Sequence, residues 1–346
     1  MTKIEKLIQL YLEAGEELLQ QIRSLEDGTK RSRKQAILRQ ITAIIAKLQM
    51  ESLELGTQII EESYLEGSEV TVEELVQQGF EEVATKLTSV IHEQAVQAIM
   101  DDVFYRILEA TEHMEQDAKN RVEEAVRRAN EQSLVQGISR RQATKQAIAE
   151  LANKGITGIV YKNGTEMPAE KYMANVIQYH QRKAHVDGAI NRMIDNNQDL
   201  VYVNLVGITC EMCAKYQGRV YSISGKDSRF PKLTQRPPFH GHCVHNATPW
   251  VEEYHDEDEI EQALKDSNLP FTDNRTEQNI KKYEQLQKEK SQKNETRKQW
   301  IRYKSRMPDL PDLRTFASHK ARNTKQYQEW MEDYRKFNLE IKKSNS

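Results

Sequence analysis

All three cysteines of the 346-residue chain, and three of its nine histidines, fall in one short stretch. It reads Cys210-x-x-Cys213, then, after 26 intervening residues, His240-x-x-Cys243-x-His245. Soft thiolates and imidazoles at knuckle spacing are the donors that a tetrahedral zinc ion takes. The predicted ligands are Cys210, Cys213, Cys243 and one histidine. His240 fits the spacing best, His245 is its substitute and His242 comes third. Three thiolates and one imidazole fill the tetrahedron and leave no position for water, so the predicted zinc is structural. The bland alternative treats the cysteines as small buried hydrophobes with incidental histidines nearby. Convergence of every cysteine on one module favours the metal.

Two catalytic chemistries compete with this reading. A nuclease of the HNH type needs a histidine on a strand to activate water, an Asn, and a metal-binding His on a helix. His240, His242, His245, Asn246 and the helix after Glu252 supply those residue types, but not in a convincing order. A Cys/His protease needs one activated thiolate without competing metal partners. The chain has neither a Gly-rich phosphate loop nor a Ser nucleophile elbow. The sequence therefore assigns no catalytic residue. A zinc-knuckle nucleic-acid-binding protein is the remaining alternative.

The elements that must position this cluster emerge from periodicity. Residues 3–24 place Ile4, Leu7, Ile8, Tyr11, Leu18, Leu19 and Ile22 at helical spacing, up to a break at Asp27-Gly28-Thr29. A second helix from Ser32 aligns Ile37, Ile41, Ile44, Ile45, Leu48 and Leu55. Glycines 56, 67 and 79 punctuate the next stretch, and Thr71-x-x-Glu74 reads as a capping box for a new helix. Residues 83–136 form one or two long amphipathic helices, and Ser139 caps a short one over Ala143–Asn153. The texture then changes. Asn163-Gly164 marks a hairpin, 167–196 returns to helix, and residues 200–206 and 219–223 read as strands on either side of the first cysteine pair. The predicted fold is mainly α with a small α+β module: long N-terminal helices, a zinc-knuckle-like α+β module and a helical tail. The division is a helical domain 1–154, a Cys/His module 155–251, and an acidic linker with a basic helical tail 252–346. A module with so few strands buries little core, and a metal staple would support it.

Charged residues make up 30% of the chain and aromatics only 7%, a profile of extended helices rather than one large globule. The net charge of −3 is unevenly spread. Residues 1–270 hold 31 Lys and Arg against 42 Asp and Glu, while residues 271–346 hold 19 against 11. The resulting basic tail suits DNA phosphates or an acidic protein face, although a solvated helical arm has the same composition. Seven of the ten residues 252–261 are acidic, which predicts a boundary there. The opening MTKIEKLIQLYLEAGEELLQ holds no apolar run, which predicts neither a signal peptide nor a membrane span. With an odd cysteine count, the expectation is a reduced protein assembled in the cytosol, without disulfides.

One stretch carries a resemblance. Asp199-Leu-Val-Tyr-Val, then Cys210-Glu-Met-Cys213-Ala-Lys-Tyr-Gln-Gly218-Arg-Val-Tyr-Ser-Ile-Ser-Gly225, then Phe230-Pro231 and Pro237-Pro238-Phe-His240-Gly-His-Cys243-Val-His245 resemble the tailed-phage minor capsid protein type 2 family. The same signature is similar to the broader head-morphogenesis family that includes the Mu-type F protein. The likeness covers about residues 155–250; the N-terminal half is similar in texture only. The resemblance implies a non-enzymatic, low-copy component of the procapsid, found in the capsid interior after assembly in the host cytoplasm. It implies the portal protein and other capsid or scaffolding proteins as partners, with non-specific DNA contact and no membrane. Relatives often lack one or both of the first cysteines, so the zinc expectation rests on this chain's own residues.

Overall fold

The computed structural model describes all residues except 28–30, 81, 88–89, 137–138, 152–154, 305–306, 308 and 345–346. In chain order its elements are α1 (Lys3–Arg23), α2 (Arg31–Gln77), α3 (Val90–Gln136), α4 (Arg140–Leu151), β1 (Thr157–Val160), β2 (Glu166–Pro168) and α5 (Ala169–Asp195). There follow β3 (Leu200–Val203), α6 (Glu211–Ala214), β4 (Arg219–Ser222), β5 (Ala247–Pro249), α7 (Glu257–Ser267), α8 (Glu277–Lys304), α9 (Leu313–Ala321) and α10 (Lys325–Ser344). The chain is mainly helical with small antiparallel sheets, as its periodicity predicts. Two compact units emerge, each assembled from separated stretches: 1–8, 51–108 and 173–285 in the first, 9–50, 109–172 and 286–346 in the second.

The first unit holds the cysteine–histidine stretch. Its sheet runs β4-β3-β5, antiparallel throughout. Strand β3 is central, and its side chains alternate between two cores. Val201 and Val203 pack with Val186, Ile190 and Met193 of α5, while Leu200 and Tyr202 lie with Val220, Phe230 and, from α7, Leu264. The acidic stretch 252–261 leads into α7, where Asp256 and Glu259 form a reciprocal capping box and three acidic residues face the positive end of the helix dipole.

Helix α5 also crosses α2 at close range. A Cβ on Gly67 would stand 1.9 Å from the His185 carbonyl oxygen, and one on Gly188 would stand 2.2 Å from that of Tyr64. Only hydrogen at both positions lets the backbones approach so far. A buried polar network pins the crossing. Asn191 donates to the Tyr64 hydroxyl (2.9 Å), which meets His92 Nδ1 (2.7 Å), and His92 Nε2 donates to Asp195 (2.6 Å). Burial pushes the Tyr64 phenol up to about 12. Arg192 binds Ser68 Oγ and the carbonyls of Ala84, Thr85 and Lys86, which holds the connection between α2 and α3.

Two sequence expectations fail here for one reason. Gly56 and Gly67 lie inside a continuous 47-residue α2, and Thr71 opens no helix: its hydroxyl donates back to the Gly67 carbonyl at 2.9 Å. Tertiary packing across Gly67 outweighs the local breaker signals. Gly79 alone of the three ends the helix. At φ +89° its N–H reaches Val76 O and that of Phe80 reaches Leu75 O, a Schellman termination. Of the one or two helices expected over 83–136, the structure shows one, a 47-residue rod from Val90. The break expected at Gly28-Thr29 lies outside the described residues.

The second unit packs an Ala-rich stripe of α3 (Ala110, Met114, Ala118, Val122, Ala125, Ala129) in its interior, with Leu18, Ile22, Ile37, Ile41 and Ile45 among its other buried residues. Arg121 binds Asp117 with two parallel bonds and the carbonyls of Leu151 and Gly155, while Asp117 accepts the Thr157 N–H (2.8 Å). This holds the end of α4 to the start of the β1–β2 hairpin, whose turn contains Asn163-Gly164 as predicted. Ser139 caps α4 through its hydroxyl (3.3 Å). Residues of α8, α9 and α10 form an aromatic core of their own around Tyr303, Leu310, Phe316 and Tyr327.

Candidate metal centre

Strand β3 delivers the chain to Cys210, which caps the single turn α6. Cys210 has extended backbone, and its sulfur accepts the Cys213 N–H at 3.4 Å, as in a metal knuckle. The turn closes when the Gln217 N–H reaches Cys213 O and the Gly218 N–H reaches Val203 O, which returns the chain to the sheet as β4. The second half arrives through Pro237-Pro238, joined by a cis bond, and Phe239, whose ring stacks on Tyr216 at 4.7 Å. A turn from His240 O to the Cys243 N–H (3.0 Å) then presents Cys243, and His245 comes just before β5.

The fold brings together all five residues singled out by spacing. Cys210, Cys213 and His240 form one group, and Cys213, Cys243 and His245 form another; within each group the potential ligand atoms lie within 4.8 Å of one another. Cys213 belongs to both. His240 Nε2 is 3.1 Å from both Cys210 Sγ and Cys213 Sγ. Cys213 and Cys243 are 3.7 Å apart, and Cys243 Sγ lies 3.4 Å from His245 Nδ1. His242, the third choice by spacing, is exposed and in neither group; its N–H donates to His240 Nδ1 (3.1 Å). All three cysteines are free thiols. The Cys213 thiol pointing at Cys243 draws Cys243 down to about 4, while the same contact and burial push Cys213 up. The contact thus favours the thiolate, the form that binds metal, at Cys243. Three sulfurs and two imidazoles within this reach can hold a metal ion, and their softness suits zinc.

Two features escaped the spacing argument. Strand β5 is only three residues long and contains Pro249, so it carries no strand signal; β3 pairs with it on one side. On the other side, the Gln78 side-chain amide bonds Pro249 O and the Val251 N–H as a strand would. The second feature is Gln217, 2% exposed, whose Oε1 meets His245 Nε2 at 3.1 Å. It belongs to the Gln217-Gly218-Arg219-Val220-Tyr221 turn that carries part of the resemblance, so the signal was present without its role. Arg219 of the same turn binds the carbonyls of Ser267, Leu269 and Pro270 and ties β4 to the end of α7.

A mainly helical chain with a small sheet module closed by a Cys/His cluster is the class these elements define. A family model described as phage minor capsid protein 2 matches residues 3–336, and the chain belongs to that family. No curated protein and no solved structure matches it. Among the described residues, no helix is long and apolar enough to cross a membrane.

Proposed function

We propose that this protein is a structural component of the phage head, present in few copies, that associates with the portal and with other capsid or scaffolding proteins. Family membership across nearly the whole chain is the observation that carries this reading. On this reading the protein occupies the capsid interior, after assembly in the host cytoplasm. In functional terms the chain divides into a helical docking region 1–154, a Cys/His module 155–251 and a basic tail 252–346. The module holds a structural zinc through Cys210, Cys213, Cys243 and one of His240 and His245. No residue is assigned a catalytic role. A water-activating histidine needs a free nitrogen facing solvent, whereas His245 is fully buried between Cys243 and Gln217.

Quantitative proteomics of purified procapsids and virions tests the role. The protein should be present at a copy number comparable to the portal's or below it, and cross-links from the intact chain should run to the portal. Absence from both particles overturns the proposal. The intact chain is needed because a fragment cut near residue 150 would strip α2 and α3 of Gly188, Asn191 and Asp195 of α5, against which they pack. Incubation with plasmid and Mg²⁺ or Mn²⁺ should leave the DNA uncut; nicking would revive the nuclease reading.

A further inference from the structure

We propose that the imidazole ligand of this centre is His245, bound through Nδ1 and oriented by Gln217, and that His240 instead donates an N–H to the thiolates. The inference rests on the metal reading above and decides between its two histidines. Spacing prefers His240; hydrogen-bond directions choose the other.

A histidine that binds metal through one nitrogen carries its proton on the other and gives it to an acceptor. His240 violates this. Its Nδ1 faces the His242 backbone N–H at 3.1 Å, an obligatory donor, so Nδ1 is an acceptor and the neutral ring keeps its proton on Nε2. That proton points at Cys210 and Cys213, where a ligand would need a lone pair. His245 satisfies the rule. Gln217 Oε1 accepts the Val206 backbone N–H at 2.9 Å, which identifies that atom as oxygen rather than nitrogen. An oxygen can only accept from His245 Nε2, 3.1 Å away, so Nε2 carries the proton and the lone pair of Nδ1 points at Cys243.

Two distances within the Cys213, Cys243 and His245 group agree with the directions. Zinc bonds of ~2.3 Å to sulfur and ~2.05 Å to nitrogen give tetrahedral edges of about 3.8 Å between two sulfurs and about 3.6 Å between sulfur and nitrogen. Cys213 to Cys243 is 3.7 Å and Cys243 to His245 Nδ1 is 3.4 Å, both close to such edges. The two 3.1 Å contacts of His240 are too short for an edge and suit N–H···S bonds. The Nδ1 lone pair of His245, aimed at Cys243 Sγ, thus points to where a metal bound by that sulfur would sit. The ligand set is then Cys213, Cys243 and His245, whose ligand atoms lie within 4.8 Å of one another, joined by Cys210. Cys210 closes on them from its place beside Cys213 and His240 when metal binds, and His240 offsets part of the thiolate charge from outside.

The test uses the full-length protein loaded with Zn²⁺ and, separately, with Co²⁺. Two-bond ¹H–¹⁵N correlation spectra of histidine-labelled Zn²⁺ protein should show His245 metal-bound at Nδ1 and protonated at Nε2, and His240 protonated at Nε2 and free of metal. His240→Ala should keep one equivalent of zinc and the three-sulfur, one-nitrogen cobalt spectrum. Should His245→Ala fail to fold, Gln217 provides a second route. Gln217→Leu should weaken zinc binding about 10–100-fold, and Gln217→Glu, which keeps the acceptor oxygen, should restore it. Metal on His240 Nε2, or a cobalt spectrum that changes in His240→Ala alone, overturns the inference and leaves the zinc reading standing. Wild-type protein that takes up no Zn²⁺ overturns both.

Discussion

Cys213 is the residue on which both halves of the Cys/His cluster depend, since each ligand group includes it. Cys213→Ser should reduce bound zinc from about one equivalent to near zero and loosen residues 200–250. The α2–α5 crossing should persist, because Gly67, Gly188 and the Tyr64 network hold it without the metal. Metal analysis together with amide hydrogen exchange reads both effects, and retained zinc would sink the assignment. Glycines give a paired prediction. Gly67→Ala drives a methyl into the His185 carbonyl and should cost at least the ~1–3 kcal/mol of ordinary overpacking. Gly15→Ala in α1, where nothing lies within 4 Å of the new Cβ, should instead stabilise by roughly 0.5–1 kcal/mol. Urea unfolding of the two variants compares them directly, and equal effects would contradict the close crossing. The cluster was legible from sequence because ligand chemistry restricts residue type and spacing. Gln217 was not, because its role exists only once the chain brings it to His245, 28 positions away.

At the scale of elements, helical periodicity located α1 and α5, each with one buried stripe, and the β-branched and aromatic residues of β3 and β4 marked those strands, which are buried on both faces. It failed where a local signal had a second use: Gly67 marks a helix crossing rather than a helix end, and Thr71 bonds its own helix. Glu74, the other half of that supposed capping box, is instead a source of pH dependence. Burial, and then the charge of Glu73, raise its carboxyl from an ordinary 4.5 to about 7. The folded state therefore holds this proton more tightly than the unfolded chain does. The stability linked to it is fully present below about 4.5 and is lost as pH rises through about 7. Glu74→Gln should leave the melting temperature nearly unchanged at pH 4. At pH 8 it should stabilise by on the order of 1 kcal/mol, discounted from the full shift because the carboxyl is only partly buried. An equal effect at both pH values would show that folding does not raise the carboxyl's pKa.

Across the whole molecule, charge and aromatic content separate in a way that composition could not show. The basic tail reads in sequence as lysines and arginines interleaved with aromatics, a pattern suited to stacking on bases. In the fold the aromatics of α8, α9 and α10 near this core pack on one another: Tyr303 stacks on Tyr334 at 4.3 Å and Phe316 on Trp330 at 5.8 Å, with Trp300 and Tyr327 beside them. Several basic residues are also engaged, Arg297 with Glu170, Lys298 with Glu295 and Lys336 with Asp333. Exposed lysines remain on α8, among them Lys281, Lys282, Lys288, Lys290 and Lys293. If the tail meets packaged DNA, it does so through phosphates alone. Binding should then be independent of sequence, show no preference for single strands, and weaken steeply between about 50 and 200 mM salt as counterions are released. Replacing the five lysines by Gln in the intact chain should abolish the shift at the lower salt while leaving the fold and zinc content unchanged, because none of them lies in a core. A gel-shift titration with duplex and single-stranded DNA of equal length measures this. Absence of any shift at about 50 mM salt would make these lysines solvated surface, and a marked preference for single strands would mean that the aromatic core opens to receive bases.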